Sequence, residues 1–500
     1  MAVLIKNGLV YDGLGNPPER KDVLIRGKVI AKIGDLSRSH ADEVIEANGK
    51  IVTPGCVDVT THSDHHYSLF YEPDQEDFLS QGVTSIIGGN CGVSLAPLFG
   101  ILPDIATEWG SVSGINVNWK TIKEFLSYFE QHPVGVNFGT LVGYTGLRRG
   151  ITKDKFRDLT DSEIASIGRI IDVSIKQGAF GCSFGLEHIH GIRTPFYEIE
   201  RIVRAITHSN GISTIHLRDS ADELQESIEE CVEMSERTSG NVHISHMQPL
   251  KKNGKKFEEA LSYITEHANH TNVHFDVNTF DMVPLLIYEL LPEWAQEESF
   301  SGMHRSIHVP SFASRVVEYL KKNSARDYII SHIPDKTLKF LEGKSIRELA
   351  TRAQISFEEM ILHIMDITHF RATISAKIVD VSLLTSAIAH SQSIISSNSA
   401  SFGKKEFKQL QSIKTFPDFL SFVQKNDVIS LEKAIGKMTS VPAKKFKIEK
   451  RGILAEGNFA DIVIWSDNKP VSTFVNGNNA WTIEKGCKGR YGAVLKPKQV

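Results

Sequence analysis

Short runs of consecutive apolar residues, each closing on a polar cluster, recur through the middle of the chain: CVDVTTHSD, VTSIIGGNCG, VGVNFGTLVGY, AFGCSFGLEH, GISTIHLRD, NVHISHMQ, NVHFDVNTF and SIISSNSAS. Unbroken apolar runs suit strands covered on both faces, and the spacing between them is filled by stretches of helical period such as SEIASIGRIIDVSIKQG and ADELQESIEECVEMSE. Strand and helix in alternation predict parallel βα units, and eight of them predict an α/β fold built on a (β/α)8 TIM-like barrel, with functional side chains at the C-terminal ends of its strands. Both ends of the chain have a different texture. LIKNGLVYDG, DVLIRGKVIAKIGD and EVIEANGKIVTPG near the start, and RGILAEGNFADIVIWSDN and STFVNGNNAWTIEKG near the end, alternate apolar and polar residues between turn dipeptides. These two sets, 1–54 and 441–500, are predicted to form one small β-sandwich beside a barrel spanning 55–440. The last two barrel strands are more than one hundred residues apart, too far for one crossover helix, which predicts a helical insertion over 283–345.

Five hundred residues support such a multi-unit plan. Apolar residues at 41%, charged residues at 23% and a net charge of −4 offer no polyelectrolyte surface, which argues against nucleic acid as a partner and for a small-molecule substrate. No window is long and apolar enough for a membrane helix, and the opening MAVLIKNGLVYDG is too briefly apolar for a secretory leader. The five cysteines, Cys56, Cys91, Cys182, Cys231 and Cys487, are odd in number and scattered. Free thiols in a reducing, cytoplasmic setting are expected, and assembly into a homo-oligomer is left open.

Three residues at strand ends suggest a metal. His216 and His246 each close an apolar run, thirty residues apart, about one βα unit, so both imidazoles should reach one mouth. Cys91 ends a third run inside GGNCG, where small neighbours let a thiolate approach an ion. Taken singly, a buried cysteine packs as a small apolar residue and a strand-end histidine is hydrogen-bonded. Together they form a borderline-soft ligand set suited to one zinc ion with an open position.

The chain resembles the D-aminoacylase (N-acyl-D-amino-acid deacylase) family of the amidohydrolase superfamily over nearly its whole length. The stretches that carry the resemblance are IVTPGCVDVTTHSD, QGVTSIIGGNCGVSLAPL, NWKTIKEFL, VGYTGLR, GAFGCSFGLEH, IHLRD, ISHM, LLPEWAQE, FLEGKSIRELA, RGILAEGNFADIVIW and GRYGAVL, in that order. The resemblance implies a β-sandwich, a barrel with an insertion, and a tightly bound zinc on Cys91, His216 and His246. It also implies hydrolysis of an N-acyl amide, with the metal polarising the carbonyl and an aspartate moving the proton of the attacking water.

The family's chemistry-bearing residues are not all present. Its paired first-strand histidines fall on Thr60 and His62, which leaves His62 alone as a further metal ligand. Its catalytic aspartate falls on Asn398, which has no carboxylate to serve as a base. Its other pocket residues fall on Tyr144, His188, Gln248, Asn278 and Phe280, and the neutral Gln248 removes a lysine that would pair with a substrate carboxylate. Asp64 and Glu187 are the expected replacement bases. His65 and His66 read as solvated loop residues, while Arg218 and Asp219 read either as an ion pair at the rim or as ligand-orienting groups. The expected activity is thus amide hydrolysis with a single zinc-activated water. The alternatives are a catalytically silent, metal-stabilised binding protein or a zinc-assisted lyase or isomerase.

Overall fold

The computed structural model describes residues 2–498 except 99–109, 111, 113, 116, 118, 298 and 405, so Asn118, the first residue of the NWKTIKEFL stretch, lies outside the described residues. All eight apolar runs form strands. Cys56–Asp58, Val83–Gly88 and Asn137–Thr140 pair in parallel. Val142–Gly143, Gly181–Gly185, Ile212–His216, Asn241–Ile244, Asn272–Val277 and Ser393–Ile395 do the same, each beside the next. Only Leu141 separates the two sets in sequence. An isolated parallel bridge between Thr61 and Ser399 joins the extension of the first strand to that of the last. The fold is mixed α/β.

The crossover helices follow from local chemistry. Asp161–Lys176 buries Ile164, Ile167, Ile171 and Ile175, one stripe at a period of three to four. It starts at a capping box in which the Glu163 carboxylate accepts from Thr160 N at 2.8 Å and the Thr160 hydroxyl accepts from Glu163 N at 3.3 Å. Such a cap is worth about 1 kcal/mol.

Both chain ends meet in one nine-stranded sheet. Ile51–Pro54 pairs antiparallel with Ile462–Ser466, so the N-terminal and C-terminal strands share hydrogen bonds directly. Val3, Ile5, Val23, Ile25, Ile462, Ile464 and Phe474 form the core of this unit. Trp465 is fully buried, and its indole N–H donates to Thr53 Oγ1 at 2.8 Å. Just past the boundary expected at 441, Ala443, Phe446 and Ile448 pack against Val57, Val59 and Ile87 of the parallel strands.

The insertion differs from expectation in size and in kind. It holds helices Phe300–Ile307, Pro310–Asn323, Ile346–Ala353 and Phe357–Ile367, but also a three-stranded antiparallel sheet ordered Val283–Leu286, Thr373–Ala376, Ile329–His332. Its apolar core runs from Leu286 to Ala376, and so past 345, and takes in Ile189 from the segment after Gly181–Gly185. No described helix is long and apolar enough to cross a membrane.

Candidate metal centre

Cys91 follows strand Val83–Gly88, His216 ends strand Ile212–His216 and His246 follows its neighbour Asn241–Ile244, and the three come together past the C-terminal ends of these strands. One ligand atom from each lies within 4.8 Å of the other two. Cys91 Sγ stands 3.4 Å from His246 Nε2, and the His216 and His246 rings meet edge to face with centroids 4.4 Å apart. Cys91 and His246 adopt left-handed backbone angles, with φ of 50° and 42°. That conformation is uncommon for residues other than glycine and costs about 1–3 kcal/mol each. Neighbouring bonds hold it: His246 N donates to Asp276 Oδ1 at 3.0 Å, and Gly92 N donates to Ser183 Oγ at 3.0 Å. The backbone turns sharply just past each strand end, which aims sulfur and imidazole at a common point.

The donor set fits a metal ion. Glu187 Oε2 lies 2.9 Å from His216 Nε2. With the ring proton on Nε2 and directed at the carboxylate, the lone pair sits on Nδ1, which is buried and has no hydrogen-bond partner. A carboxylate behind an imidazole with its other nitrogen unsatisfied is the arrangement that orients metal-binding histidines. Burial lowers the imidazole of His216 well below its ordinary range and that of His246 to about 3, so both are neutral and ligand-competent. Burial pushes the Cys91 thiol up, and a bound dication would displace that proton.

His62 lies outside this group of three. Its Nδ1 is 3.1 Å from His65 Nδ1, and its Nε2 is 2.7 Å from the Asn398 side-chain oxygen position. His65 Nε2 lies 2.9 Å from the Val93 carbonyl, which can only accept, so that nitrogen carries the His65 proton. His62 Nδ1–H then donates to His65 Nδ1, which leaves His62 Nε2 to accept from the Asn398 amide, turned so that its NH₂ faces the ring. In this proton arrangement His62 is committed to Asn398. Asn398 itself has a left-handed φ of 50°. Thr60, where the family has its other histidine, donates its hydroxyl to Asp276 Oδ2 at 2.7 Å.

A cavity of about 430 Å³ opens over the centre. Glu187, His188, Gln248 and Asn398 line it, together with Glu289 from the insertion. Burial, reinforced by Asp219, raises the Glu187 carboxyl to about 7. Its contacts with His216 and with Ser220 Oγ, at 3.1 Å, both fall on Oε2. His188 Nδ1 is 3.1 Å from Glu289 Oε1. Burial works against a charge on His188, but its bonds to Cys91 and Glu289 outweigh that and lift it to about 10. Gln248 is 9% exposed, and neither end of its amide has a hydrogen-bond partner. A buried amide in a cavity wall with both ends unsatisfied is a vacant donor–acceptor pair.

Other expected site residues have structural partners instead. Asp64 is buried below the mouth and lines no part of the cavity; its Oδ2 accepts from Gly89 N at 2.7 Å, which holds the turn leading to Cys91. Tyr144 is buried and donates its hydroxyl to Glu198, which also receives Arg148 Nε at 2.8 Å. Arg218 spends its guanidinium on Glu230 at 2.7 and 3.1 Å and on the Ile192 and Thr194 carbonyls, not on Asp219, whose Oδ1 accepts from Ala221 N at 2.6 Å. Asn278 Oδ1 accepts from Phe280 N at 3.1 Å in a local turn. His65 is buried, not solvated. Sequence reasoning missed Asp58, Asp276 and Glu289. The first two had a legible signal, a carboxylate flanked by apolar residues, Val57 and Val59 beside Asp58 and Phe275 and Val277 beside Asp276.

The amidohydrolase family model matches residues 409–488. The D-aminoacylase of Alcaligenes xylosoxydans xylosoxydans is 26% identical over 515 residues, spanning 99% of this chain and 97% of that protein. A solved D-aminoacylase, studied for the role of its binuclear metal center in one-metal activation and second-metal attenuation, superposes with a TM-score of 0.81 at 24% identity, covering 99% of each chain. The N-acyl-D-glutamate deacylase of Bordetella bronchiseptica, complexed with zinc and a phosphonate mimic of the reaction's tetrahedral intermediate, gives 0.82 at 22% identity, again over 99% of each. The fold is that of these proteins.

Proposed function

We propose that this chain, similar from end to end to the D-aminoacylases, is a metal-dependent hydrolase of an amide bond in a small molecule, working from one zinc site on Cys91, His216 and His246. The observation that carries the reading is the unpartnered, buried Nδ1 of His216 beside Cys91 and His246 at the floor of a cavity. In this reading the eight parallel strands form a closed (β/α)8 barrel, and the terminal strands form the β-sandwich. Zinc in the described relative, and one-metal activation in the other, support a single ion here.

The ion, when bound, supplies Lewis-acid polarisation of the scissile carbonyl and of water. The chain's own residues supply the rest. Glu187 takes a proton from the attacking water; its contacts fall on Oε2 and leave Oε1 for that task. That proton passes to the leaving nitrogen as the C–N bond breaks and the new C–O bond completes. His188, held by Glu289 at 3.1 Å in the cavity wall, is placed to donate to the developing negative charge. Gln248 pairs with a neutral group that both donates and accepts, such as an amide or imide edge, so the substrate need not carry a free α-carboxylate.

A second reading, a silent metal-stabilised binding protein, is favoured by the commitment of Asn398 to His62 and of Thr60 to Asp276. Zinc-replete protein assayed in isotopically labelled water against N-acyl-D-amino acids, N-acyl amino sugars and cyclic amides separates the readings. Hydrolysis is expected to release an amine and place one solvent oxygen in the product carboxylate. No turnover anywhere on the panel would support the silent reading, and turnover without label would support a lyase or isomerase.

A further inference from the structure

We propose that His304, His308 and Asp366 form a second metal site, on the outer face of the insertion, for a divalent ion of the zinc, nickel or copper class. His304 belongs to helix Phe300–Ile307 and His308 caps its C-terminal end, four residues apart and on one face. Asp366 reaches them from helix Phe357–Ile367. One ligand atom from each residue lies within 4.8 Å of the other two. His304 Nε2 is 2.9 Å and His308 Nε2 is 3.4 Å from the same oxygen, Asp366 Oδ1. Donors about 2.0–2.2 Å from one tetrahedral ion stand about 3.4 Å from each other, so these separations need little adjustment.

The proton positions point to a cation. His308 Nδ1 is 2.7 Å from the His304 carbonyl, which can only accept, so the ring proton sits on Nδ1. The lone pair of a neutral His308 is then on Nε2, facing a carboxylate oxygen at 3.4 Å. Two electron-rich atoms at that separation repel unless a positive charge lies between them, and the charge is either a second proton or a metal ion. The carbonyl behind His308 plays the orienting role described above for Glu187 behind His216. The negative end of the helix dipole adds to the attraction. His369, exposed, has its ring centroid 4.7 Å from that of His304 but lies outside this group of three.

An ion here would tie together two helices whose inner faces, Phe300 and Met303 on one and Ile361, Ile364 and Met365 on the other, share the insertion's core. That core backs the segment from Leu286 to Glu289, which forms one wall of the cavity. The site therefore fixes a wall of the cavity without touching substrate.

Metal-depleted full-length protein is titrated with Co²⁺ alone, and the bound equivalents are counted beside those of His308→Ala and of the His304→Ala/His308→Ala double variant, with circular dichroism confirming that each is folded. The unsubstituted protein is expected to bind one equivalent more than either variant. The extra equivalent should show ligand-field absorption without thiolate-to-cobalt charge transfer, which separates it from any ion held by Cys91. Equal stoichiometry in the three proteins, or an increment that carries thiolate charge transfer, would overturn the proposal whether or not the Cys91 centre binds metal.

Discussion

Replacing Glu187 tests the metal centre and the proposed base in one experiment, because the same carboxylate serves both. Glu187 Oε2 faces His216 Nε2 at 2.9 Å and keeps the imidazole lone pair on Nδ1. Removing a group that orients a ligand in this way typically weakens metal binding 10–100-fold, or about 1.4–2.7 kcal/mol. Glu187→Gln retains an oxygen that can accept the ring proton, but without charge, and charge-assisted bonds are about twice as strong as neutral ones. It should therefore fall at or below the lower end, about tenfold, whereas Glu187→Ala should approach about a hundredfold. The assay is a competition titration of zinc against a chromophoric chelator, followed by turnover at saturating zinc. If Glu187 is also the base, both variants lose about 10²–10⁴ in kcat even when fully loaded. Unchanged zinc affinity in Glu187→Ala would refute the assignment of Nδ1 as the ligand atom, and full turnover at saturating zinc would refute the base.

Asn398→Asp places a carboxylate beside His62, whose Nε2 is now 2.7 Å from the Asn398 amide. With Glu187 as base, amide hydrolysis should change less than about tenfold or fall, while a large gain from an inactive protein would support the silent reading. Gln248→Lys adds a charge to the cavity wall and should lower KM for substrates bearing a carboxylate by about tenfold or more, since a bond to a charged group is worth about 1.5–3 kcal/mol; an unchanged ratio of KM between carboxylate and neutral substrates would contradict the role given to Gln248. Burial raises Asp58 from 3.8 to about 7 despite its bonds from Ser396 and Ser397. The folded state thus binds this proton more tightly than the unfolded chain. Its contribution is full below about pH 4, declines as pH rises towards 7 and is flat above, with a span of about 4 kcal/mol at most. Asp58→Asn should flatten the fall in melting temperature across that window at constant zinc, and an identical pH profile would contradict the assignment.

The eight strand runs were legible because strands covered on both faces must be apolar throughout, and the gathering of Cys91, His216 and His246 because each closes such a run. Asp64, Tyr144 and Arg218, expected at the site, have partners away from the metal centre for a shared reason. Sequence shows a polar residue past a strand end but not which way it turns: Asp64 turns inward to a glycine N–H, while Tyr144 and Arg218 satisfy buried carboxylates and carbonyls. Gln248 and Glu187 face the cavity because their segments leave the strand ends on its inner side. The insertion was cut short at 345 because Ile329–His332 and Thr373–Ala376 are four residues each, too short to show a strand period against the helices around them. Glu289 was invisible for a related reason, since its importance depends on His188, 101 residues away in the chain.

Zinc K-edge X-ray absorption on the full-length protein carrying His304→Ala and His308→Ala, loaded with one equivalent of zinc, tests the central claim most directly. One sulfur at about 2.3 Å and two imidazole nitrogens at about 2.0–2.1 Å are expected from Cys91, His216 and His246. A coordination shell of nitrogen and oxygen without sulfur would contradict it.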